Sequence, residues 1–168
     1  SSLSREQKGK CPHCQVKLPA TDEEHFELAR GWVNKGKAWA QAHVGYMYFN
    51  GNGVEQSYEK AMEYFTLAIQ KGDPNAMFNV AAMYHLGEGI TKSIEKSIEL
   101  YTQAANQGHA RAQCNLGVLY IKGEGVDQSN DLARELWIKA AVQDHEKALT
   151  ALQMLDKQEG RTTPTILC

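Results

Sequence analysis

Glycines recur along this chain at a fixed interval. Gly51, Gly87 and Gly123 lie 36 residues apart, and each is followed two positions later by a second glycine. The same interval links Tyr48, Tyr84 and Tyr120, then Ala68, Ala104 and Ala140, and also Ala40, Ala76, Ala112 and Ala148. A fixed period of this length is typical of helical solenoids, in which each repeat is one supersecondary unit. The period therefore constrains the chain to a repeat architecture.

Each repeat has the pattern of two helices joined by the Gly-x-Gly pair. In the first repeat, small or apolar residues at positions 40, 44, 45 and 48 form one helical face. The first glycine is expected to end the first helix in the left-handed conformation, and the second allows a tight reversal. A serine then stands at the N-cap of each second helix, and an aromatic residue fills each layer. These residues are Ser57, Ser93 and Ser129, then Phe65, Tyr101 and Trp137.

This pattern predicts an all-α solenoid of antiparallel helix pairs over residues 21–159. Thr21 can cap a first helix, and Gly36 is in register with Gly72 and Gly108, so that helix corresponds to the second half of a repeat. The predicted organisation is a linker or the remnant of an upstream zinc finger at 1–20, a cap helix at 21–36, repeats at 37–72, 73–108 and 109–144, a C-terminal cap helix at 145–159, and a tail at 160–168.

Composition excludes some classes of function. A hydrophobic content of 42% and a charged content of 23% are typical of globular proteins. The net charge of −2 argues against a general binder of nucleic acid or anionic membranes. No apolar run is long enough to insert into a membrane, and no secretory segment opens the sequence. Because the chain begins with Ser1 rather than Met, we expect a processed product or a fragment.

The repeat motifs resemble those of the Sel1-like repeat family, relatives of the tetratricopeptide repeats. In the third unit the matching residues are Ala110, Ala112, Leu116-Gly117, Tyr120, Gly123-Glu124-Gly125-Val126 and Ala140-Ala141. The resemblance covers roughly residues 22–159, although Ala81 replaces a glycine and serine replaces the usual aspartate after the turn. It implies a right-handed superhelix that acts as an adaptor or scaffold without catalytic residues. Relatives serve in signalling and in assembling membrane and ubiquitin-ligase complexes.

The resemblance also implies that the first helices line the concave side, where a partner protein or peptide would bind. Asparagine amides repeated at positions 79 and 115 can donate to and accept from a peptide backbone. Trp39 and Tyr46 could supply an apolar hot spot. The predicted partner-binding residues are Trp39, His43, Tyr46, Asn75, Asn79, Arg111, Asn115 and Lys122. A solvated face without a ligand is the alternative.

Two cysteines near the start, Cys11 and Cys14, allow three interpretations. Their spacing suits two ligands of a zinc ion, and with Leu18 and Pro19 they resemble the last ligand pair of a RING-type finger. The other ligands would lie upstream of the sequence, because His25 is the only nearby candidate. The Cys-Pro-His-Cys tetrapeptide also resembles that of disulfide oxidases, which place it at a helix N-terminus in a thioredoxin fold. The third interpretation is a pair of idle thiols.

Other candidate sites have structural explanations. The Gly-x-Gly pairs follow helices, whereas phosphate-binding glycines lie between a strand and a helix. The histidines at 43, 85, 109 and 145 have no acid or serine at catalytic spacing, so surface or inter-repeat roles are expected. Cys114 is predicted to be a buried small hydrophobe, and Met47, Met83 and Leu119 are predicted to pack in the core.

The sequence therefore predicts a non-enzymatic protein–protein interaction scaffold without a cofactor, unless Cys11 and Cys14 hold a zinc ion. The alternative function is the substrate-recruiting part of a RING-type ubiquitin ligase. A second alternative is an enzyme of thiol–disulfide exchange that uses Cys11. Partners are expected to be proteins within a larger complex, not nucleic acids. The scattered cysteines favour a reducing compartment, cytosolic or organellar.

Overall fold

The computed structural model describes residues 21–161, and this range contains eight α-helices and no strand. The helices are α1 Asp22–Val33, α2 Ala38–Asn50, α3 Tyr58–Ile69, α4 Pro74–Leu86, α5 Ile94–Asn106, α6 Ala110–Lys122, α7 Asn130–Ala141 and α8 Glu146–Glu159. The all-α prediction is confirmed. None of the helices between 21 and 161 is long and apolar enough to cross a membrane. The chain divides between Lys71 and Gly72 into two compact units.

The helix ends follow the predicted capping chemistry. The hydroxyl oxygens of the N-cap residues accept backbone N–H groups at 3.2–3.3 Å, and these residues are Thr21, Ser57, Ser93 and Ser129. Gly51, Gly87 and Gly123 end their helices with φ of 75°, 76° and 64°. Such left-handed values favour glycine, which has no Cβ to clash. The repeated glycines are therefore helix stops, as their position predicts.

The first unit contains α1, α2 and α3, with α2 packed against both of its neighbours. The ring of Phe65 on α3 is fully buried and lies directly over Gly45 on α2. A Cβ at Gly45 would lie 2.8 Å from that ring. Met47 is buried on the same helix, as predicted. The glycine therefore allows close approach of the two helices around one aromatic side chain.

The second unit contains α4 to α8, in which each helix packs against the next along the chain. Trp137 on α7 is buried, and its indole Nε1 donates to the carbonyl oxygen of Cys114 at 3.1 Å. Cys114, Met83 and Leu119 are buried, which confirms their predicted packing roles. The terminal helix α8 covers this core with Ala148, Leu152 and Leu155, which are all buried.

An ionic cluster between α7 and α8 was not predicted from the sequence. The guanidinium of Arg134 on α7 pairs with Asp156 at 3.0 Å and also with Glu159, both on α8. Asn130 at the start of α7 donates to Glu159 at 2.7 Å. Asp156 and Arg134 are both largely removed from solvent, with side chains 3% and 12% exposed. This cluster fixes the terminal helix on the end of the repeat array.

Candidate functional site

The first helices of the repeats in the second unit border an open cleft. It has a volume of about 340 Å³ and lies between α4, α6 and the start of α8. We call it the α6 cleft, and its lining consists of Phe78, Arg111, Cys114, Asn115, Asp144, His145, Glu146 and Lys147. Two of the residues predicted to bind a partner, Arg111 and Asn115, thus lie together in one concave site.

The floor of the α6 cleft holds Arg111 in place. The guanidinium carbon of Arg111 lies 4.4 Å from the ring centroid of Phe78, which is buried. The imidazole of His109 stacks on the same ring at 4.8 Å. A cation over an aromatic ring gains about 0.5–1 kcal/mol at an exposed site. Arg111 is exposed, so its positive charge stays available to a ligand while the ring restricts its side chain.

The opposite side of the cleft carries charges of both signs. His145 caps α8, and its Nδ1 accepts the backbone N–H of Ala148 at 3.3 Å. Exposed Glu146 and Lys147 follow in the first turn of α8, and Asp144 precedes the cap with φ of 59°. This rim can accept and donate charge-assisted hydrogen bonds. The α6 cleft is therefore suited to a polar segment of mixed charge rather than to a purely apolar ligand.

Asn115 also borders a second, smaller cavity of about 140 Å³, lined by His85, Tyr101, Asn115, Val118, Leu119 and Lys122. The Asn115 amide donates to the hydroxyl oxygen of Tyr101 at 3.1 Å. Burial raises the pKa of Tyr101 above its ordinary value. Within the described chain, the Nδ1 atom of His85 is buried without a hydrogen-bond partner. The Tyr101 bond orients the Asn115 amide and occupies one of its two donors.

Of the remaining predicted residues of the second unit, one lines a cavity and two do not. Lys122, at the end of α6, is exposed and lines the smaller one. Asn79 is half-buried on α4 and Asn75 is exposed on the same helix, and both lie outside the linings of these two cavities. The structure thus brings Asn115 together with Arg111 on one side and with Lys122 on the other.

In the first unit, two of the three α2 residues predicted to bind a partner contact rings of α1. The rings of Trp32 and Trp39 lie 6.0 Å apart, and those of His25 and His43 lie 5.7 Å apart. Tyr46 is 43% exposed one turn beyond His43. Burial lowers the pKa of His43, and the neighbouring His25 adds to that effect. We call these five residues the aromatic patch. His25 and Trp32 were not predicted to bind a partner, although their spacing of seven residues places them on one face of α1.

The predicted metal ligands Cys11 and Cys14 lie outside the described residues. Between residues 21 and 161, no group of three or more His, Cys, Asp or Glu side chains could hold a metal ion. Cys114 is a buried free thiol whose pKa is raised by burial. Its sulfur therefore stays protonated and weakly reactive at neutral pH, in keeping with a packing role.

The helices and caps match a known repeat. A family model described as Sel1 repeat matches residues 40–73, 74–109 and 110–149. The chain belongs to the Sel1 repeat family. Proteins of this family typically act as protein-interaction scaffolds. These Sel1 matches begin at residue 40, and the RING-type resemblance of the N-terminal segment gains no support from them. No curated protein matches the chain.

Solved structures have the same fold. A Sel1 repeat protein from Oxalobacter formigenes matches with a TM-score of 0.79 and 30% identity over 88% of this chain and 43% of its own. The antigen c5321 of uropathogenic Escherichia coli matches with a TM-score of 0.76 and 27% identity over 84% of this chain and 30% of its own. This chain thus spans less than half of either protein. Cysteine rich protein B of Helicobacter pylori matches with a TM-score of 0.61 and 18% identity over 79% of this chain and 98% of its own. At this identity the match shows the fold alone.

Proposed function

We propose that this Sel1 repeat protein is a non-catalytic adaptor that holds an extended segment of a partner protein in the α6 cleft. The observation that carries the proposal is the juxtaposition of Arg111 and Asn115 in one open concavity. Arg111 offers an oriented cation above Phe78, and Asn115 offers an oriented amide. Together they can pair with a carboxylate and with a peptide group, which are the groups an extended protein segment presents.

The composition of the α6 cleft favours a peptide over a small cofactor. Its rim is polar and charged, whereas cofactor sites are mostly apolar with few polar groups. A peptide that continues along α4 would also reach Asn79, which occupies the same repeat position as Asn115.

The test removes both amides at the repeated position. We expect Asn79→Ala with Asn115→Ala to weaken partner binding roughly tenfold or more, because an unpaired polar group on the partner would then be buried. Partners are captured from native cells with the unaltered protein, identified by mass spectrometry, and titrated against each variant. Circular dichroism should show unchanged helicity, although loss of the bond from Asn115 to Tyr101 will cost some stability.

Lys139→Ala provides the matched control, because Lys139 is an exposed residue of α7 that lines neither cavity. It should leave the affinity unchanged. The proposal that the partner binds in the α6 cleft would be contradicted if the double asparagine variant and the Lys139 variant bound the captured partner equally well. It would also be contradicted if Arg111→Ala had no effect on that affinity.

A RING-type ubiquitin ligase remains the second candidate function, favoured only by the Cys11-Pro12-His13-Cys14 segment. In that case zinc would bind Cys11, Cys14 and upstream ligands in a longer gene product. Stoichiometric zinc that is lost on Cys11→Ser but kept on Cys114→Ser would favour the ligase over a simple adaptor. We also propose a reducing compartment, cytosolic or organellar, because Cys114 is a free thiol.

A further inference from the structure

The aromatic patch of the first unit exposes three large rings, two of them on the uncharged helix α2 and one on α1. Trp39 is 52% exposed, Trp32 37% and Tyr46 43%. The 13 residues of α2 contain no Asp, Glu, Lys or Arg. Single exposed apolar residues are ordinary, but contiguous apolar patches mark interaction sites. Paired indoles with a nearby phenol supply large contact area together with polar tips, which suits a protein-binding surface.

The patch has two chemically different ends. Helices α1 and α2 run antiparallel, since Trp32 contacts Trp39 while Phe26 contacts Tyr48. The connecting loop therefore lies beside the tryptophans, and it carries Lys35 and Lys37. The Nζ atom of Lys35 lies 4.3 Å from the centre of the Trp32 ring. Lys71 also reaches this loop and donates to the carbonyl oxygen of Gly36 at 2.8 Å.

The other end is acidic. Helix α1 begins with Asp22, Glu23 and Glu24, and this start lies beside the end of α2 that follows Tyr46. Lysines thus lie near Trp39 and three carboxylates lie toward Tyr46, with the uncharged helix α2 between them. A ligand that lies along α2 would therefore complement this surface if it carried negative charge beside Trp39.

We propose that the aromatic patch binds a polyproline II segment of a partner protein, with prolines three residues apart and acidic residues on the N-terminal side of the proline that contacts Trp39. Trp39 and Tyr46 are seven residues apart, which is roughly 10.5 Å along an α-helix. One turn of polyproline II spans three residues, or roughly 9.3 Å. Two prolines on one edge of such a helix can therefore contact Trp39 and Tyr46 together.

Polyproline II fits this surface for energetic reasons as well. Proline-rich segments are already extended before they bind, so little conformational entropy is lost, and they dock into grooves lined by aromatic side chains. A single-stranded nucleic acid also stacks on aromatic rings, but it needs positive charge along its whole path. Here the lysines beside the tryptophans lie at one end, whereas the other end carries the acidic start of α1. The inference rests on the proposed role as an interaction module, but it does not depend on the α6 cleft.

The experiment uses the whole chain and the peptide Asp-Asp-Asp-Ala-Pro-Ala-Leu-Pro-Ala-Ser-Gly-Ser. The chain contains three tryptophans, so its NMR spectrum has three indole N–H signals. We expect the signals of Trp32 and Trp39 to shift on titration, with a dissociation constant below about 1 mM. The signal of Trp137 should stay in place, because that indole is buried and bonded to Cys114.

Variants and altered peptides test each part of the surface. Trp39→Ala and Tyr46→Ala should each weaken binding roughly tenfold or more, because central aromatic side chains dominate such interfaces. Leu132→Ala, at an equally exposed apolar residue of α7, is the control and should bind as the unaltered protein does. A peptide with both prolines replaced by alanine, or with lysine in place of aspartate, should bind more weakly. Circular dichroism checks that every variant keeps its helices.

Several results would overturn the inference. They are an absence of shifts at Trp32 and Trp39 up to about 1 mM peptide, equal binding of the proline-free peptide, or unchanged affinity in Trp39→Ala. Stronger binding of a single-stranded oligonucleotide than of the peptide would also overturn it. Because the adaptor proposal is tested by Asn79 and Asn115 in the second unit, either proposal can fail while the other stands.

Discussion

At the scale of single residues, the absence of a side chain decides how closely paired helices approach. Gly117 on α6 lies under the indole of Trp137, and Gly45 on α2 lies under the ring of Phe65. A Cβ at Gly117 would lie 2.4 Å from the indole Nε1 atom. That nitrogen is bonded to Cys114, so the ring cannot move away without losing a buried hydrogen bond. The middle repeat differs, because it already has Ala81 at this position.

We therefore expect opposite effects from the same substitution at two helical glycines. Gly117→Ala should lower the free energy of unfolding by about 1–3 kcal/mol, the usual cost of overpacking a core. Gly31→Ala should raise it by about 0.5–1 kcal/mol, because a Cβ there would have no atom within 4 Å and alanine favours a helix. Urea unfolding followed by circular dichroism measures both. Equal effects of the two substitutions would mean that helix propensity, not the contact with Trp137, sets the outcome.

At the scale of elements, the sequence predicted every helix that repeats but not the contacts that distinguish the copies. The positions of the serine caps and glycine stops follow from backbone chemistry that is local in sequence, so they are readable directly. The N-cap position of the first helix, in contrast, does not hold the same residue in every repeat. Asp73, His109 and His145 accept the backbone N–H three residues on, whereas Lys37 makes no side-chain cap. Histidine is not among the preferred N-cap residues, and so no sequence rule indicated this role.

The Arg134 cluster likewise depends on tertiary contacts, and it gives a prediction for α8. Arg134→Met should lower the free energy of unfolding by roughly 3 kcal/mol, because it leaves the carboxylate of Asp156 buried without its partner. Arg134→Met with Asp156→Leu should recover most of that loss, since both charges are then removed from the interior. Urea unfolding of the two variants provides the measurement. A double variant as unstable as the single one would show that packing of the Arg134 stem matters more than its charge.

At the scale of the whole molecule, the sequence located candidate surfaces but not their shape. The repeat register placed Arg111 and Asn115 on a common helix face, and the structure places both in the α6 cleft. The stacking of Arg111 on Phe78 and the contribution of Trp32 to the aromatic patch depend on how neighbouring helices pack. A periodic sequence carries little information on such contacts, because the period describes what the repeats share, whereas binding surfaces are made by what differs between them.

The repeat architecture also predicts that disturbances stay local. In a solenoid each repeat contacts only its neighbours, so stability is close to a sum of repeat and neighbour contributions. Native-state hydrogen exchange should therefore be faster for the amides of Leu152 and Leu155 in Arg134→Met, while those of Val44 and Met47 on α2 keep their rates. Gly45→Ala should give the reverse pattern, because it disturbs the contact of α2 with Phe65. Equal acceleration of all four amides in either variant would instead mean that the chain opens only as one cooperative body.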